Sequence, residues 1–456
     1  MRYILNAAFL FITLQLFSSC ESDFLDAKPD KALLVPATLR DYQALLDNSN
    51  AIMNRTPYLS EVASDDFSIA DNTIQGFSET EQNCYRWDKH IYYGFSNTDW
   101  DIPYRQIFYS NVVLDGLKGI DSPSNDPMYR NIKGMALFRR AWGLYQAVQV
   151  FTEGYNPQNA NTKLGLPVRT SSDVSQIAGR SSLSETYVQI LSDLTQAIPL
   201  LDLEQDVPTR PSKTAAYAFM ARVCLTMQNY DKAKLYADST LNIYNQLLDY
   251  NTLDTTLPFA MPNIYSTSNR HPEVIFLTIL IPNSFLGTSN VTFASNELYD
   301  SYSDGDLRKS IFFNASQLFT GSYIGTQLYQ FSGLAVDEVF LIRAEANVRI
   351  GNITRAMDDL NMLLLNRYKK GQFESVTSTN PVELLGIILD ERRKELVGRG
   401  IRWSDLKRIN QDGLFAKKLI RIIDGKEVTL PPLDKRYVFP IPDNEIAVNG
   451  IEQNER

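Results

Sequence analysis

Two stretches of the chain carry helix pairs built on the same interval. Leu334 to Tyr368 reads LAVDEVFLIRAEANVRIGNITRAMDDLNMLLLNRY, with an apolar face on each side of Gly351-Asn352. After this corner, Ile353, Ala356, Met357, Leu360, Leu363 and Leu364 all fall on one side of a helix of 3.6 residues per turn. Before it, Phe340, Ala344 and Val348 step by four. Gly-Asn at the corner accepts positive φ at little cost. Ala344 and Ala356 lie where two helices would cross, and their small side chains let the backbones approach. The grammar recurs from Thr214 to Tyr244, where the interval from Ala221 to Ala233 equals that from Ala344 to Ala356. There Tyr217, Met220, Ala221 and Cys224 make the first face. Ala233, Tyr236, Ala237, Thr240, Leu241 and Tyr244 make the second. Recurring helix pairs are the mark of tetratricopeptide-like stacking, in which each pair buries its apolar face against the next. The expected fold is mainly α: a tetratricopeptide-like helix-pair scaffold with long loop-rich insertions and a few short strands.

The remaining periodicity supports this. A short helix is expected around Leu39 to Leu46, and longer ones over Trp100–Leu117, Tyr129–Phe151 and Ser184–Leu201. Pro381–Val397 and Trp403–Ile409 close the helical set. Residues 61–101 lack periodicity and read as a long ordered loop or short strands, and such loops in compact proteins are usually functional. Glu273–Ile281 reads as a strand, residues 283–330 as loop, and the Pro-rich tail as extended chain. At 456 residues, length alone suggests about three domains of roughly 150 residues. A repeat array shares one core, so a single domain over residues 20–456 is expected instead. Its N-terminal part covers about residues 20–210 and its C-terminal part about 211–456, packed together.

A formal net charge of −9 argues against nucleic acid as a partner. His90 and His271 are the only histidines, which excludes a multi-histidine metal centre. No cofactor-binding motif occurs. The cysteines are Cys20, Cys84 and Cys224, with no CxxC. Cys224 falls on an inward helix face, and Cys84 in a loop-like stretch.

Residues 1–19, MRYILNAAFLFITLQLFSS, have the grammar of a secretory signal peptide: Arg2, an apolar run, then Ser18 and Ser19 before Cys20. The cysteine after small residues resembles a bacterial lipobox, although Phe17 stands where Leu is usual and Leu16 lies one step earlier. Cys20 is therefore the expected lipidation site, carrying palmitate-type acyl chains. Each buried CH₂ contributes about 0.8 kcal/mol, so several chains anchor firmly. The acidic leader Glu21 to Asp26 is similar to the surface-export leader of Bacteroidetes lipoproteins.

Along the mature chain, the ordered series of motifs resembles the SusD/RagB family of outer-membrane nutrient-binding lipoproteins. It runs CESDFLD at 20–26, Trp100-x-x-x-Tyr104-x-x-Ile107-x-x-x-Asn111, FRRAWGLYQAVQVF at 138–151 and Asp306–Arg308. LIRAEANVRIG at 341–351, ERRKELVGRGIRWSDLKR at 391–408 and FPIPDNEI at 439–446 complete it. After Asn449 the chain reads GIEQNER where the family usually has an Asn-Pro step and a Gln-Asn-Pro tail, which puts the packing of the last residues in question. The resemblance implies a non-enzymatic lipoprotein on the outer face of the cell outer membrane. It would bind an oligosaccharide or polysaccharide and deliver it to a SusC-like TonB-dependent transporter. A peptide-binding member, a secreted glycoside hydrolase and a helical-repeat interaction scaffold are the competing readings.

Four aromatic residues in the aperiodic stretch are the ligand-binding candidates: Trp87, with Tyr85, Tyr92 and Tyr93 beside it. An aromatic platform among Asp and Asn suits the C–H faces and hydroxyl edges of a sugar. A local hydrophobic cluster holding a loop is an equally good reading. Trp100, Trp142 and Trp403 belong to helical patterns and read as core. Glu391, Arg392, Arg393, Glu395, Arg399, Arg402 and Asp405 read as an ion-pair network across the Gly398–Gly400 bend. Arginines nearby keep carboxylates ionised, which opposes general-acid use. Asp65, Asp66 and Asp71 lack the spacing of a Ca²⁺ loop and are expected to be solvated.

Overall fold

The computed structural model describes residues 36–92, 96–121, 125–264 and 270–456. In chain order its N-terminal helices are α1 Leu39–Leu46, α2 Leu59–Ala63, α3 Glu79–Tyr85, α4 Thr98–Leu117 and α5 Pro127–Phe151. Then come α6 Leu183–Ala197, α7 Lys213–Thr226 and α8 Tyr230–Ile243, followed by the short α9 Ser284–Gly287, α10 Asn296–Asp300 and α11 Arg308–Phe312. The C-terminal set is α12 Val336–Arg349, α13 Ile353–Leu365, α14 Pro381–Glu395, α15 Arg402–Ile409 and α16 Asp443–Asn449. Local chemistry sets many of the starts. Thr38 with Asp41, Ser78 with Glu81 and Ser182 with Glu185 form reciprocal capping boxes at α1, α3 and α6. Asp126 and Asn380 cap α5 and α14, each of which carries Pro at its first position.

The two expected helix pairs are present. Gly351 turns the corner between α12 and α13 with φ +86, a conformation that costs a side-chain-bearing residue. Ala221, Ala233, Ala344 and Ala356 are all fully buried. Helix α8 packs against both α7 and α12, so the second helix of one pair lies on the first helix of the next. Upstream, α4, α5 and α6 pack in sequence as neighbours. One apolar core runs from Tyr42 to Ile451, and a second cluster under α12–α15 includes Leu341, Leu360, Leu384 and Ile388. Trp100, Trp142 and Trp403 are core residues, as their helical positions predict.

The strands form only two-stranded ribbons. In chain order they are β1 Arg55–Thr56, β2 Phe67–Ile69, β3 Leu164–Pro167, β4 Arg180–Ser182, β5 Val274–Phe276, β6 Ile279–Leu280, β7 Thr292–Ala294, β8 Leu334–Ala335, β9 Leu419–Ile423 and β10 Lys426–Leu430. β1 pairs with β6 and β2 with β7, stitching the insertion after α8 to the N-terminal segment. These pairings, together with α2 and α3, give structure to the stretch at 61–101 that lacks periodicity. Cys84 lies inside α3, fully buried, and its thiol donates to the carbonyl of Leu59 at 3.2 Å. The strand expected over Glu273–Ile281 is broken into β5 and β6. The tail is less extended than expected: β9 and β10 form a hairpin, and α16 follows Pro442. Asp424 and Gly425, both at positive φ, make the two-residue hairpin turn, and Gly450 ends α16 at φ +62. Among the described residues no helix is long and apolar enough to cross a membrane. Residues 1–19 and Cys20 lie outside the described residues.

Candidate functional site

Of the aromatic candidates, Tyr85 and Trp87 converge, but inward. Trp87 follows α3 at φ +54, is 2% exposed, and donates its indole N–H to the Ala63 carbonyl at 2.8 Å. Tyr85 is also buried, and its hydroxyl accepts from the Ile69 backbone N–H at 3.0 Å. The Arg421 guanidinium from β9 lies 3.8 Å over the Tyr85 ring and 4.4 Å over that of Trp87. Arg421 also donates to the carbonyls of Tyr85, Val62 and Ser64. Burial holds the Tyr92 hydroxyl well above its usual pKa, and Tyr93 lies outside the described residues. The open sugar platform expected of Tyr85 and Trp87 is therefore corrected: both rings are walls around a buried arginine. Short-range sequence could not reveal this, because Arg421 lies more than 300 residues away.

The acidic and basic residues of α14 and the following bend form the expected ion-pair network. Arg308 donates to Asp306 at 2.7 Å, Glu391 at 2.6 Å and Glu395 at 3.0 Å. Arg367 bridges Glu395 at 2.8 Å and Glu273 at 2.9 Å, and Arg399 holds Asp337 at 2.6 Å. Burial alone would raise the Asp337 carboxyl, but Arg399 and its hydrogen bonds hold it down at about 2. Carboxylate oxygens of Glu273, Asp337 and Glu395 approach within 4.8 Å of one another, a spacing compatible with a cation. Arg308, Arg367 and Arg399 already pair with that cluster. Asp65 and Asp66 are not solvated, contrary to expectation. Arg402 binds Asp65 at 2.7 Å and Arg393 binds Asp66 at 2.8 Å, so they pin the segment after α2 to α14 and α15.

A roomy concavity lies elsewhere. A cleft of about 600 Å³ opens between the loop after α5, the end of α15, the turn after β10 and the C-terminal tail. Its volume falls within the range of small-ligand sites, roughly 300–1,000 Å³. Six amide side chains line it, those of Asn156, Asn159, Asn410, Gln411, Gln453 and Asn454, beside seven charged residues. Charges around it are largely paired: Lys163 with Glu153 at 2.9 Å, Arg436 with Asp434 at 2.9 Å, and Lys435 with Glu455. The tail wall is firmly tied despite its departure from the usual ending. Gln453 exchanges two 2.8 Å hydrogen bonds with the Ile441 backbone, and the Asn454 amide donates to the carbonyls of Phe151 and Phe439.

Lys407, Asn410 and Gln411 follow i, i+3, i+4 spacing and so share one face at the end of α15. The Lys407 ammonium donates to the carbonyls of Gln149 and Thr152 at 2.7 and 2.6 Å, where the C-terminus of α5 favours a cation. Burial nevertheless pulls its pKa down to about 7. The Tyr437 hydroxyl and the Asn410 amide nitrogen are buried beside one another, and the phenolic proton reaches no acceptor. None of these residues was a sequence-based candidate. Only the spacing along α15 is visible locally; the other walls arrive through tertiary packing.

A family model for SusD-like proteins, described as starch-binding and associating with the outer membrane, matches residues 23–225. A second, for the SusD family, matches residues 336–455. The chain belongs to the SusD/RagB family. A relative from Formosa agariphila, SusD-like protein P2, is 23% identical over 91% of both chains. The fold is shared with a SusD superfamily protein of Bacteroides thetaiotaomicron, at TM-score 0.72 and 22% identity, covering 92% of this chain and 100% of that one. It is also shared with a SusD-like carbohydrate-binding protein of Bacteroides vulgatus, at TM-score 0.67 and 20% identity over 91% and 97% of the chains. The SusD-type scaffold accounts for the stacked helix pairs, and the insertions and tail build the cleft onto it.

Proposed function

We propose that this SusD-family chain is a non-catalytic nutrient-binding lipoprotein. It is acylated at Cys20 after removal of residues 1–19 and lies on the outer face of the outer membrane. It holds an oligosaccharide in the amide-lined cleft beside α15 and passes it to a SusC-like TonB-dependent transporter. The remainder from Cys20 onward acts as one unit.

The cleft is the observation that carries this reading. Amide side chains offer donors and acceptors together, which matches sugar hydroxyls. The Bacteroides vulgatus protein of the same fold is described as carbohydrate-binding, which supports the same ligand class. Against catalysis stands the pairing of the clustered carboxylates beside α14: Asp337 is held by Arg399, and Glu391 and Glu395 by Arg308, so none of them is left free to act on a substrate. Titration calorimetry of the mature chain against a panel of polysaccharides and peptides tests the reading. A glycan should bind without being cleaved, and Gln411→Ala should weaken it. Peptide binding in place of glycan binding, or release of reducing sugar, would refute it. Detergent extraction of outer membranes should co-purify a large β-barrel, and recovery of the chain alone would count against the partner.

A further inference from the structure

The floor of the cleft offers donors with nothing to donate to. The Asn410 side-chain oxygen already accepts from the Lys417 backbone N–H at 2.9 Å, which fixes the amide's orientation and leaves its NH₂ as the free group. The Tyr437 hydroxyl lies beside the Asn410 amide and finds no acceptor for its proton, and both residues are only 3% exposed. Even a contact between the two would leave the phenolic proton and one amide proton without an acceptor. Lys407, 5% exposed, gives two of its three N–H bonds to main-chain carbonyls and pairs with no carboxylate among the described residues. Buried donors left unmatched are costly, so a group that satisfies them gains strongly. Glu153, Asp434 and Glu455, the acids nearby, are already engaged by Lys163, Arg436 and Lys435. Glu452 lies on the tail wall, and its backbone carbonyl accepts from Arg180 at 3.0 Å.

We propose that the cleft selects a sugar bearing a carboxylate, a uronate residue, and seats that carboxylate on Lys407, Asn410 and Tyr437. The inference rests on the reading of the cleft as a saccharide site. A carboxylate presents two oxygens with about four lone-pair positions and no donor, the complement of a donor-only floor. A neutral hydroxyl brings its own proton and fewer acceptor positions. The carboxylate also supplies the counter-charge that Lys407 lacks, and charge-assisted hydrogen bonds are about twice as strong as neutral ones.

Calorimetry with tetramers of galacturonate and of mannuronate, each beside its carboxyl-reduced neutral counterpart, tests the proposal. At least one acid tetramer should bind ten times or more tighter than its reduced form. Tyr437→Phe removes a hydroxyl whose proton meets no acceptor, so its thermal midpoint should stay near that of the unaltered chain while the acid tetramer weakens about tenfold. Lys407→Met should erase the preference for the acid form. Equal affinities, tighter binding of the reduced forms, or full affinity in Tyr437→Phe would overturn the carboxylate assignment and leave the saccharide reading standing. Binding of neutral glycans with no acid tetramer bound would do the same. No binding of any glycan would remove both.

Discussion

Replacing Trp87 by Ala separates a buried indole from a sugar-binding platform. The ring is 2% exposed, donates to the Ala63 carbonyl and lies beneath the Arg421 guanidinium. A tryptophan buries about 200 Å². At about 25 cal/mol per Å², its loss forfeits about 5 kcal/mol of transfer free energy, in line with the 3–5 kcal/mol typical of large-to-small core changes. An unpartnered Ala63 carbonyl adds about 1 kcal/mol. A total near 4–6 kcal/mol is a large share of a domain's usual 5–15 kcal/mol. Trp87 also sits at φ +54, where L-residues are disfavoured by roughly 1–2 kcal/mol. Trp87→Gly should thus be no less stable than Trp87→Ala, the reverse of the usual order at an ordered position. Urea unfolding followed by circular dichroism measures both. A loss below about 1 kcal/mol for Trp87→Ala, accompanied by loss of glycan affinity, would refute the packing argument and restore the ring as a ligand platform.

Asp99 gives a pH signature. Burial raises its carboxyl to about 7, although the N–H groups of Leu59 and Tyr58 donate to it. Because the native pKa exceeds the unfolded value of about 3.9, the folded chain keeps a proton that the unfolded chain has lost. Its contribution is complete below about pH 4 and is lost as pH rises to about 7, at up to about 1.4 kcal/mol per unit. Asp99→Asn should flatten the fall of the urea midpoint between pH 5 and pH 7; an unchanged slope would contradict this. Arg367→Met strips Glu273 and Glu395 of a shared cation and should cost about 3–5 kcal/mol by the same urea assay. A stable variant would mean the cluster is otherwise neutralised. Gly351→Ala meets open space but keeps φ +86, so a loss of about 1 kcal/mol is expected from backbone strain alone. No loss would show that the corner can rearrange.

The legible parts were those governed by neighbours in the chain. The apolar rows of α12 and α13 and the Gly351 corner needed no information beyond 35 residues of sequence. Asp424-Gly425 is likewise a hairpin signal readable in the chain itself, set between two apolar alternations. The Asp65 and Asp66 pairings were not readable, because Arg393 and Arg402 lie more than 300 residues further on. The inward turn of Trp87 depended in the same way on Arg421.

Periodicity alone therefore determined the long helices, the faces they bury, and that the pairs stack into a frame; hydrophobic spacing and corner chemistry act within a few turns. The tertiary structure alone decided which polar side chains are sealed and which face a ligand-sized space. Burial is a property of all the surrounding chain, so a tryptophan in an irregular stretch and a lysine on a helix face exchange their apparent roles only when distant segments close around them.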